Sequence, residues 1–249
     1  MTIHLRSIEL KDRENLPAGY PFNLDIIHEM EKIEFKSPVT FFVGENGSGK
    51  STLLEGIAAV IGSIAVGRES IQQDSSLKYA RLLGFHLRLV WNKRTKRGFF
   101  LRAEDFFGYA RKMAALKMEM QAEMIAAGRE AGKRSKLAQI LAEAPLRRKI
   151  EGMQASNSDK LDSLSHGESF LNLFQSRFVP NGLYLLDEPE APLSPLRQLT
   201  LISLIKEMVA QDSQFIIATH SPILMGFPNA VILNFDQVPV KPVEFNDLP

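Results

Sequence analysis

Residues 44–51 read Gly44-Glu45-Asn46-Gly47-Ser48-Gly49-Lys50-Ser51, which fits the spacing G-x-x-x-x-G-K-[ST]. The apolar run Val39-Thr40-Phe41-Phe42-Val43 directly before it predicts a buried strand. Thr52 and the residues that follow predict a helix whose N-terminus faces the loop. Because glycines let successive backbone N–H groups converge on an anion, the stretch predicts a phosphate-binding loop between a strand and a helix.

Individual residues of this loop have separate expected tasks. Lys50 is expected to reach the β and γ phosphates of a nucleoside triphosphate, and Ser51 to hold Mg²⁺. The other positions expected to contact the phosphates are Gly44, Glu45, Asn46, Gly47, Ser48, Gly49 and Thr52. The alternative is a glycine-rich surface turn, which the flanking strand and helix disfavour.

Two further strands are predicted to end in chemically active side chains. The run Gly182-Leu183-Tyr184-Leu185-Leu186 precedes Asp187 and Glu188, where Asp187 suits the Mg²⁺ shell and Glu188 suits the orientation of an attacking water. The strand at 214–219 precedes His220, which would emerge at the edge of the sheet where open α/β sheets place ligands. The alternatives are an ordinary polar strand end and a structural histidine.

A helix start is predicted at the segment Leu161-Asp162-Ser163-Leu164-Ser165-His166-Gly167-Glu168-Ser169. Ser165 and Glu168 stand in capping-box register before an apolar stripe. On its own the pattern is that of a well-capped helix. Because a helix N-terminus also binds phosphate, a second interpretation depends on what lies opposite it.

Composition favours a nucleotide-binding domain in the cytoplasm. The chain has 249 residues, 45% of them hydrophobic, and no cysteine, which excludes disulfides and cysteine-ligated metals. No apolar stretch approaches the roughly 20 residues that span a bilayer, and residues 1–6 do not open a signal peptide. We therefore expect no membrane insertion.

Basic charge is concentrated in the middle of the chain. From Lys78 to Lys160 there are 19 Lys and Arg residues against 8 Asp and Glu, a net charge of +11, and the remainder carries −10. The densest run, residues 93–98, lies between predicted strands at 84–91 and 99–102 and is interpreted as a hairpin tip. It is either a solvated turn or a site that meets phosphate or an acidic partner.

A helical insertion is predicted over residues 105–160 of an otherwise single domain, 1–249. Met113, Leu116, Met120 and Met124 recur at helical spacing, and the pattern predicts two amphipathic helices of about 20 residues separated near Gly128 to Gly132. The methionines are expected to form a flexible core stripe or a groove for a protein partner.

In this order and spacing, the four segments resemble the Walker A, signature, Walker B and switch-histidine motifs of ABC-type ATPases. Within that superfamily the chain is similar to compact stand-alone bacterial ATPases of the AAA family related to RecF and SMC heads. The resemblance implies a P-loop α/β fold with an antiparallel side sheet. It also implies ATP hydrolysis with Mg²⁺ in a head-to-tail homodimer, in which Ser165 and Gly167 of one copy cover ATP held by the other.

Three departures from the family pattern stand out. His166 and the pair Glu168-Ser169 replace the usual glycine and glutamine of the signature, and Ser194 stands where many relatives have aspartate. The glutamine expected at the end of the strand at 99–102 is missing, and Glu104 stands nearby. Three roles for the ATPase cycle are carried forward: a DNA-associated switch in repair or defence, a regulatory ATPase with a protein partner, and a transporter subunit.

Overall fold

A computed structural model describes residues 2–62, 77–133, 135–137, 140, 143–145, 147–148 and 166–247 of the chain. The chain divides into two compact units. The first consists of Met1–Asp105 with Phe178–Pro249, and the second of Phe106–Arg177. Among the described helices, none combines the length and the apolar character that a bilayer span requires.

The first unit is built on a six-stranded sheet in which the order of strands is β5-β6-β7-β3-β8-β9. Its strands, in chain order, are β3 (Val39–Val43), β5 (Phe100–Arg102), β6 (Leu183–Asp187), β7 (Gln214–Ala218), β8 (Val231–Asn234) and β9 (Lys241–Val243). All neighbouring pairs are parallel except β8 with β9.

Continuous apolar runs form the middle of this sheet. Every residue of β3, β6 and β7 is buried, as expected for parallel strands that are covered on both faces. Because these strands run in the same direction, the residues that follow Val43, Asp187 and Ala218 meet at one edge of the sheet. This edge positions the site described below.

A second, antiparallel sheet has the order β2-β1-β4, with strands Leu5–Leu10 (β1), Ile33–Glu34 (β2) and Leu87–Trp91 (β4). The buried side chain of Gln214 joins β1 to the larger sheet, since Leu5 N donates to Gln214 Oε1 (2.8 Å) and Gln214 Nε2 donates to Leu5 O (3.0 Å). The predicted fold class, a P-loop α/β fold with an antiparallel side sheet, is confirmed.

In the described part of the chain, the helices with complete bounds are α1 (Asp25–His28), α2 (Lys50–Ile61), α3 (Lys78–His86), α4 (Ala103–Gly132), α5 (His166–Arg177), α6 (Pro195–Ala210) and α7 (Pro222–Met225). Helix α3 corrects the strand predicted from residue 84, because residues 84–86 belong to the helix and the strand begins only at Leu87. The packing of α3 on α2 depends on two glycines. A Cβ at Gly84 would lie 3.2 Å from Val60 Cγ2, and one at Gly56 would lie 2.8 Å from Leu83 Cδ2. The missing side chains let α2 and α3 pack closely.

The predicted hairpin around residues 93–98 is wrong. Strand β4 pairs with β1, whereas β5 pairs with β6 in the other sheet, so the basic run is a crossover between the two sheets. The crossover already joins the larger sheet at its end, because Leu183 N donates to Arg97 O (3.0 Å). A Cβ at Gly98, whose φ is 118°, would overlap the backbone of Leu183, so this position requires glycine.

The second unit contains most of α4 and the whole of α5. Helix α4 has 30 residues and continues through Gly128, so the first predicted helix is longer than expected and ends at Gly132. Gly128 is buried, and a Cβ there would overlap the side chain of Glu143, which therefore lies against α4. Of the predicted stripe, Met120 and Met124 are partly buried and Leu116 is 38% exposed, while the side chain of Met113 lies outside the described part of the structure.

Candidate nucleotide-binding site

The loop at residues 44–49 ends at Gly49, in a backbone conformation that only glycine adopts readily. Gly49 has φ 96° and caps the N-terminus of α2. A Cβ at this position would lie 2.5 Å from Ile26 Cγ2 on α1. Both the backbone conformation and the contact with Ile26 therefore exclude any side chain at position 49. The first N–H groups of α2 face the loop.

Lys50 lies across the loop and is buried. Its Nζ donates to the carbonyl oxygens of Gly44 (2.7 Å) and Glu45 (2.8 Å). Burial lowers the pKa of the Lys50 ammonium, and the carboxylates of Asp236 and Glu188 act against this shift. The charged form of Lys50 is therefore costly at this buried position. A bound polyanion would stabilise it.

Asp236 fixes the start of the loop, and no local sequence pattern points to it. The backbone N–H of Glu45 donates to Asp236 Oδ1 (2.7 Å), and Asp236 follows β8, the strand beside β3. The N–H of Glu45 therefore holds the loop in place through a hydrogen bond within the protein. The interaction depends on a register between two strands that are almost 200 residues apart, which no local pattern predicts.

Ser51 and Asp187 meet at the edge of the sheet. Ser51 Oγ donates to Asp187 Oδ1 (2.9 Å), and Asp187 is buried. A hydroxyl and a carboxylate are oxygen donors of the kind that Mg²⁺ prefers alongside the phosphates of a substrate. The pair therefore fits a Mg²⁺ ion that is bound together with a nucleotide. Within the described residues, no group of three or more His, Asp or Glu side chains is placed to hold a metal.

Arg102 occupies the end of β5, where the family pattern has glutamine. It is the register partner of Asp187 in the sheet, and Arg102 Nε lies 3.6 Å from Asp187 Oδ2. Its Nη2 forms an ion pair with Glu55 Oε1 on α2. The side chains of Arg102 and Glu55 are only 19% and 12% exposed, so this ion pair is largely removed from water. The guanidinium that approaches Asp187 is therefore also largely desolvated. Glu104, in contrast, lies in α4.

Glu188 and His220 face each other at the same edge. Glu188 Oε1 lies 3.8 Å from His220 Nε2, and both side chains are partly exposed. Glu188 has φ 49°, an uncommon conformation for a residue other than glycine, asparagine or aspartate. Glu190 ties the two strand ends together, because its Oε1 accepts a hydrogen bond from the backbone N–H of His220 (2.7 Å).

Tyr20 is a second residue at the loop that sequence analysis missed. Its hydroxyl lies 2.8 Å from Thr52 Oγ1, and its ring meets Tyr79 edge to face with 4.9 Å between the centroids. Tyr20 is 44% exposed and lines a cavity together with Gly49, Lys50 and Glu188. An exposed aromatic ring beside a phosphate loop could support a base or a ribose.

The predicted signature residues belong to the second unit. Ser165 lies outside the described residues. Helix α5 begins at His166, as the sequence predicted for this segment, and Gly167 is buried in its first turn. The loop, its helix and the acidic strand end together define a P-loop nucleotide-binding fold in the first unit.

Comparisons with known proteins agree with this class. A family model described as an AAA domain matches residues 23–97. A second model, described as "AAA domain, putative AbiEii toxin, Type IV TA system", matches residues 161–226. Both matches contain motifs singled out above.

Named relatives are ATP-binding proteins. The vitamin B12 import ATP-binding protein BtuD of Vibrio vulnificus strain CMCP6 is 30% identical over 198 residues, covering 72% of this chain and 68% of the relative. The BtuD of strain YJ016 is 27% identical over 186 residues, with the same coverage. Among solved structures, the Smc head domain of Pyrococcus furiosus, bound to the C-terminal domain of ScpA, is similar with a TM-score of 0.46 and 12% identity over 96% of each chain. The chain belongs to the ABC-type ATPases, and it is an ATPase.

Proposed function

We propose that the protein is a nucleotide-driven switch, in which ATP joins two copies head to tail and hydrolysis releases them. The observation that carries the proposal is the convergence of Lys50, Ser51, Asp187, Glu188 and His220 at one edge of the sheet. ATP held there is covered by Ser165 and Gly167 of the second copy, so that two chains complete two sites.

Each residue at this edge has a separate proposed task in hydrolysis. Glu188 orients the attacking water and accepts its proton, and His220, 3.8 Å away, contacts the γ-phosphate. Lys50 neutralises charge on the transferring phosphoryl group. Glu190 keeps His220 in register with Glu188 through the backbone hydrogen bond.

Ser51 and Asp187 are the residues proposed to hold Mg²⁺. The ion would neutralise the charge that develops on the phosphate oxygens. Tyr20 and Thr52 are proposed to support the nucleoside end of ATP, because both line the cavity that Gly49 and Lys50 also line.

DNA is the proposed partner of the switch. The support is the basic region 78–160, with its densest run in the crossover 93–98. On this proposal the ATP cycle couples the joining of two heads to the capture or release of DNA in repair or defence. The match to a toxin–antitoxin family model is consistent with a defence role.

A regulatory ATPase with a protein partner is a second candidate. Several large apolar side chains of the second unit are exposed, among them Met118 (66%), Leu137 (67%) and Ile140 (63%). A surface of this kind favours protein binding. A transporter subunit is a third candidate, favoured by the similarity to BtuD.

The experiment that separates these candidates is ATP hydrolysis measured with and without DNA at low salt. A DNA-associated switch should show a change in turnover when DNA is added. A turnover that DNA leaves unchanged, together with no DNA binding in either nucleotide state, would move the regulatory ATPase ahead.

A further inference from the structure

A cavity of about 640 Å³ opens in the first unit beside the C-terminal end of α2. Its apolar floor is formed by the end of α2 and by one face of β4, including Val60, Leu89 and Trp91. The phosphate loop lies at the other end of α2, roughly 17 Å away for a helix of this length. The cavity is therefore distinct from the nucleotide site.

Five cations surround this floor, namely Lys11, Arg88, Arg94, Lys96 and Arg97. No Asp or Glu is among the described residues that line the cavity. Arg88 has a carboxylate nearby, since its Nη1 lies 3.6 Å from Glu9 Oε1. The concave surface is thus strongly positive, and it matches an anion of extended shape.

Hydrogen bonds fix the path of the crossover chain. Thr95 Oγ1 donates to Asn181 O (2.9 Å) and accepts from Arg97 N (3.1 Å), while Arg97 O accepts from Leu183 N in the larger sheet (3.0 Å). Arg94 and Lys96, on either side of Thr95, are exposed. A fixed backbone with exposed cations is the arrangement of a phosphate-tracking groove.

We infer that this cavity binds single-stranded DNA, with the phosphates on the crossover and a base against Trp91. The inference deepens the proposed function and rests on its DNA association. A duplex presents phosphates on a convex surface and hides the faces of its bases, whereas a single strand can offer both backbone and base to a concave, part-apolar site. The partly buried Trp91 ring supplies the apolar surface on which a base stacks.

The chain itself supplies a specific probe, because Trp91 is its one tryptophan. Tryptophan emission of the full chain is measured while a thymidine oligomer of about 15 nucleotides, near the upper site size of such grooves, is added at low salt. A duplex of equal length and a polyglutamate peptide are the comparison ligands. We expect the oligomer to quench the emission and to bind about 5- to 100-fold more tightly than the duplex, the range of one stacked base.

Variants separate stacking from charge, with binding followed by the anisotropy of a labelled oligomer. Trp91→Leu keeps an apolar packing residue and should weaken binding about 5- to 100-fold. Replacing Arg94 and Lys96 by Ser should reduce the logarithmic salt slope by about 1.4, the value for two phosphate contacts on a single strand. The matched control replaces the exposed Lys206 and Lys241 by Ser, which removes the same charge outside the cavity and should leave the quenching intact.

Three results would overturn the inference. Binding of the single-stranded oligomer without any change in Trp91 emission would leave DNA association standing and remove the cavity as its single-strand site. Equal quenching by polyglutamate would assign the cavity to an acidic protein segment. Absence of binding to either form of DNA would contradict both this inference and the DNA association proposed above.

Discussion

Asp187 links the two sides of the nucleotide site, because its Oδ1 accepts from Ser51 Oγ at 2.9 Å while its Oδ2 lies 3.6 Å from Arg102 Nε. One carboxylate thus connects the helix that follows the phosphate loop with the strand β5 at the border of the sheet. The effect of the charge of Asp187 on Mg²⁺ binding and the effect of its orientation can therefore be tested separately.

Asp187→Asn tests the charge. The amide oxygen can still accept from Ser51, so the fold should be retained, but the negative charge near Mg²⁺ is lost. We expect the Mg²⁺ concentration for half-maximal ATP hydrolysis to rise about 10- to 100-fold. Ser51→Ala is the companion variant. A Mg²⁺ titration that coincides with that of the parent would contradict the role of Asp187.

The double variant Arg102→Gln with Glu55→Gln tests the orientation. Removing both partners avoids leaving one charge buried without its counter-charge, which would destabilise the fold for an unrelated reason. We expect a higher Mg²⁺ requirement, by about 10-fold, with unchanged ATP affinity in the absence of Mg²⁺. Arg102→Lys keeps the charge and should show a smaller effect. Equal Mg²⁺ requirements in all variants would assign Arg102 to stability alone.

Lys50→Met should weaken ATP binding about 10- to 100-fold, the scale of a lost hydrogen bond to a charged group. Stability should change little, because burial lowers the pKa of Lys50 and the ammonium is therefore costly in the folded protein. Calorimetric titration with ATP and Mg²⁺, beside thermal unfolding, checks both parts. Unchanged affinity would remove the residue from the site.

Tyr20 allows a test of where the nucleoside lies. Tyr20→Ala should raise the KM for ATP about 5- to 10-fold, as expected for the loss of one aromatic contact, with little change in kcat. Tyr20→Phe removes only the hydroxyl that lies 2.8 Å from Thr52 Oγ1 and should behave like the parent if stacking is what matters. Parent-like KM in Tyr20→Ala would place the nucleoside elsewhere.

The fold class and the loop could be predicted because their signals are local. The strand, the glycines and Lys50 of the loop follow one another within about a dozen residues, and each polar strand end follows its own apolar run. These patterns need no knowledge of distant neighbours. The roles assigned to these residues remain predictions that the experiments above address.

The other site residues and the path of the chain between the two sheets depend on contacts between segments that are distant in the sequence. Tyr20, Arg102 and Asp236 reach the site from three different elements, and no spacing in the sequence relates them to the loop. The alternating run after Gly84 predicts a strand from residue 84, yet Gly84 packs on α2 as part of α3 and the strand begins at Leu87. The basic run 93–98 between two apolar runs predicts a hairpin, and this prediction fails because the partner of β5 occurs only at Leu183 and beyond.

The most direct test of the central claim is light scattering of Glu188→Gln with ATP and Mg²⁺. Glutamine keeps the shape of the side chain and cannot accept the proton of the attacking water, so turnover should fall about 100-fold or more while ATP still binds. The account predicts a particle of twice the 27.9 kDa of one chain, which reverts to the monomer when ATP is removed. A monomer in the presence of bound ATP, or undiminished hydrolysis, would contradict the head-to-tail mechanism.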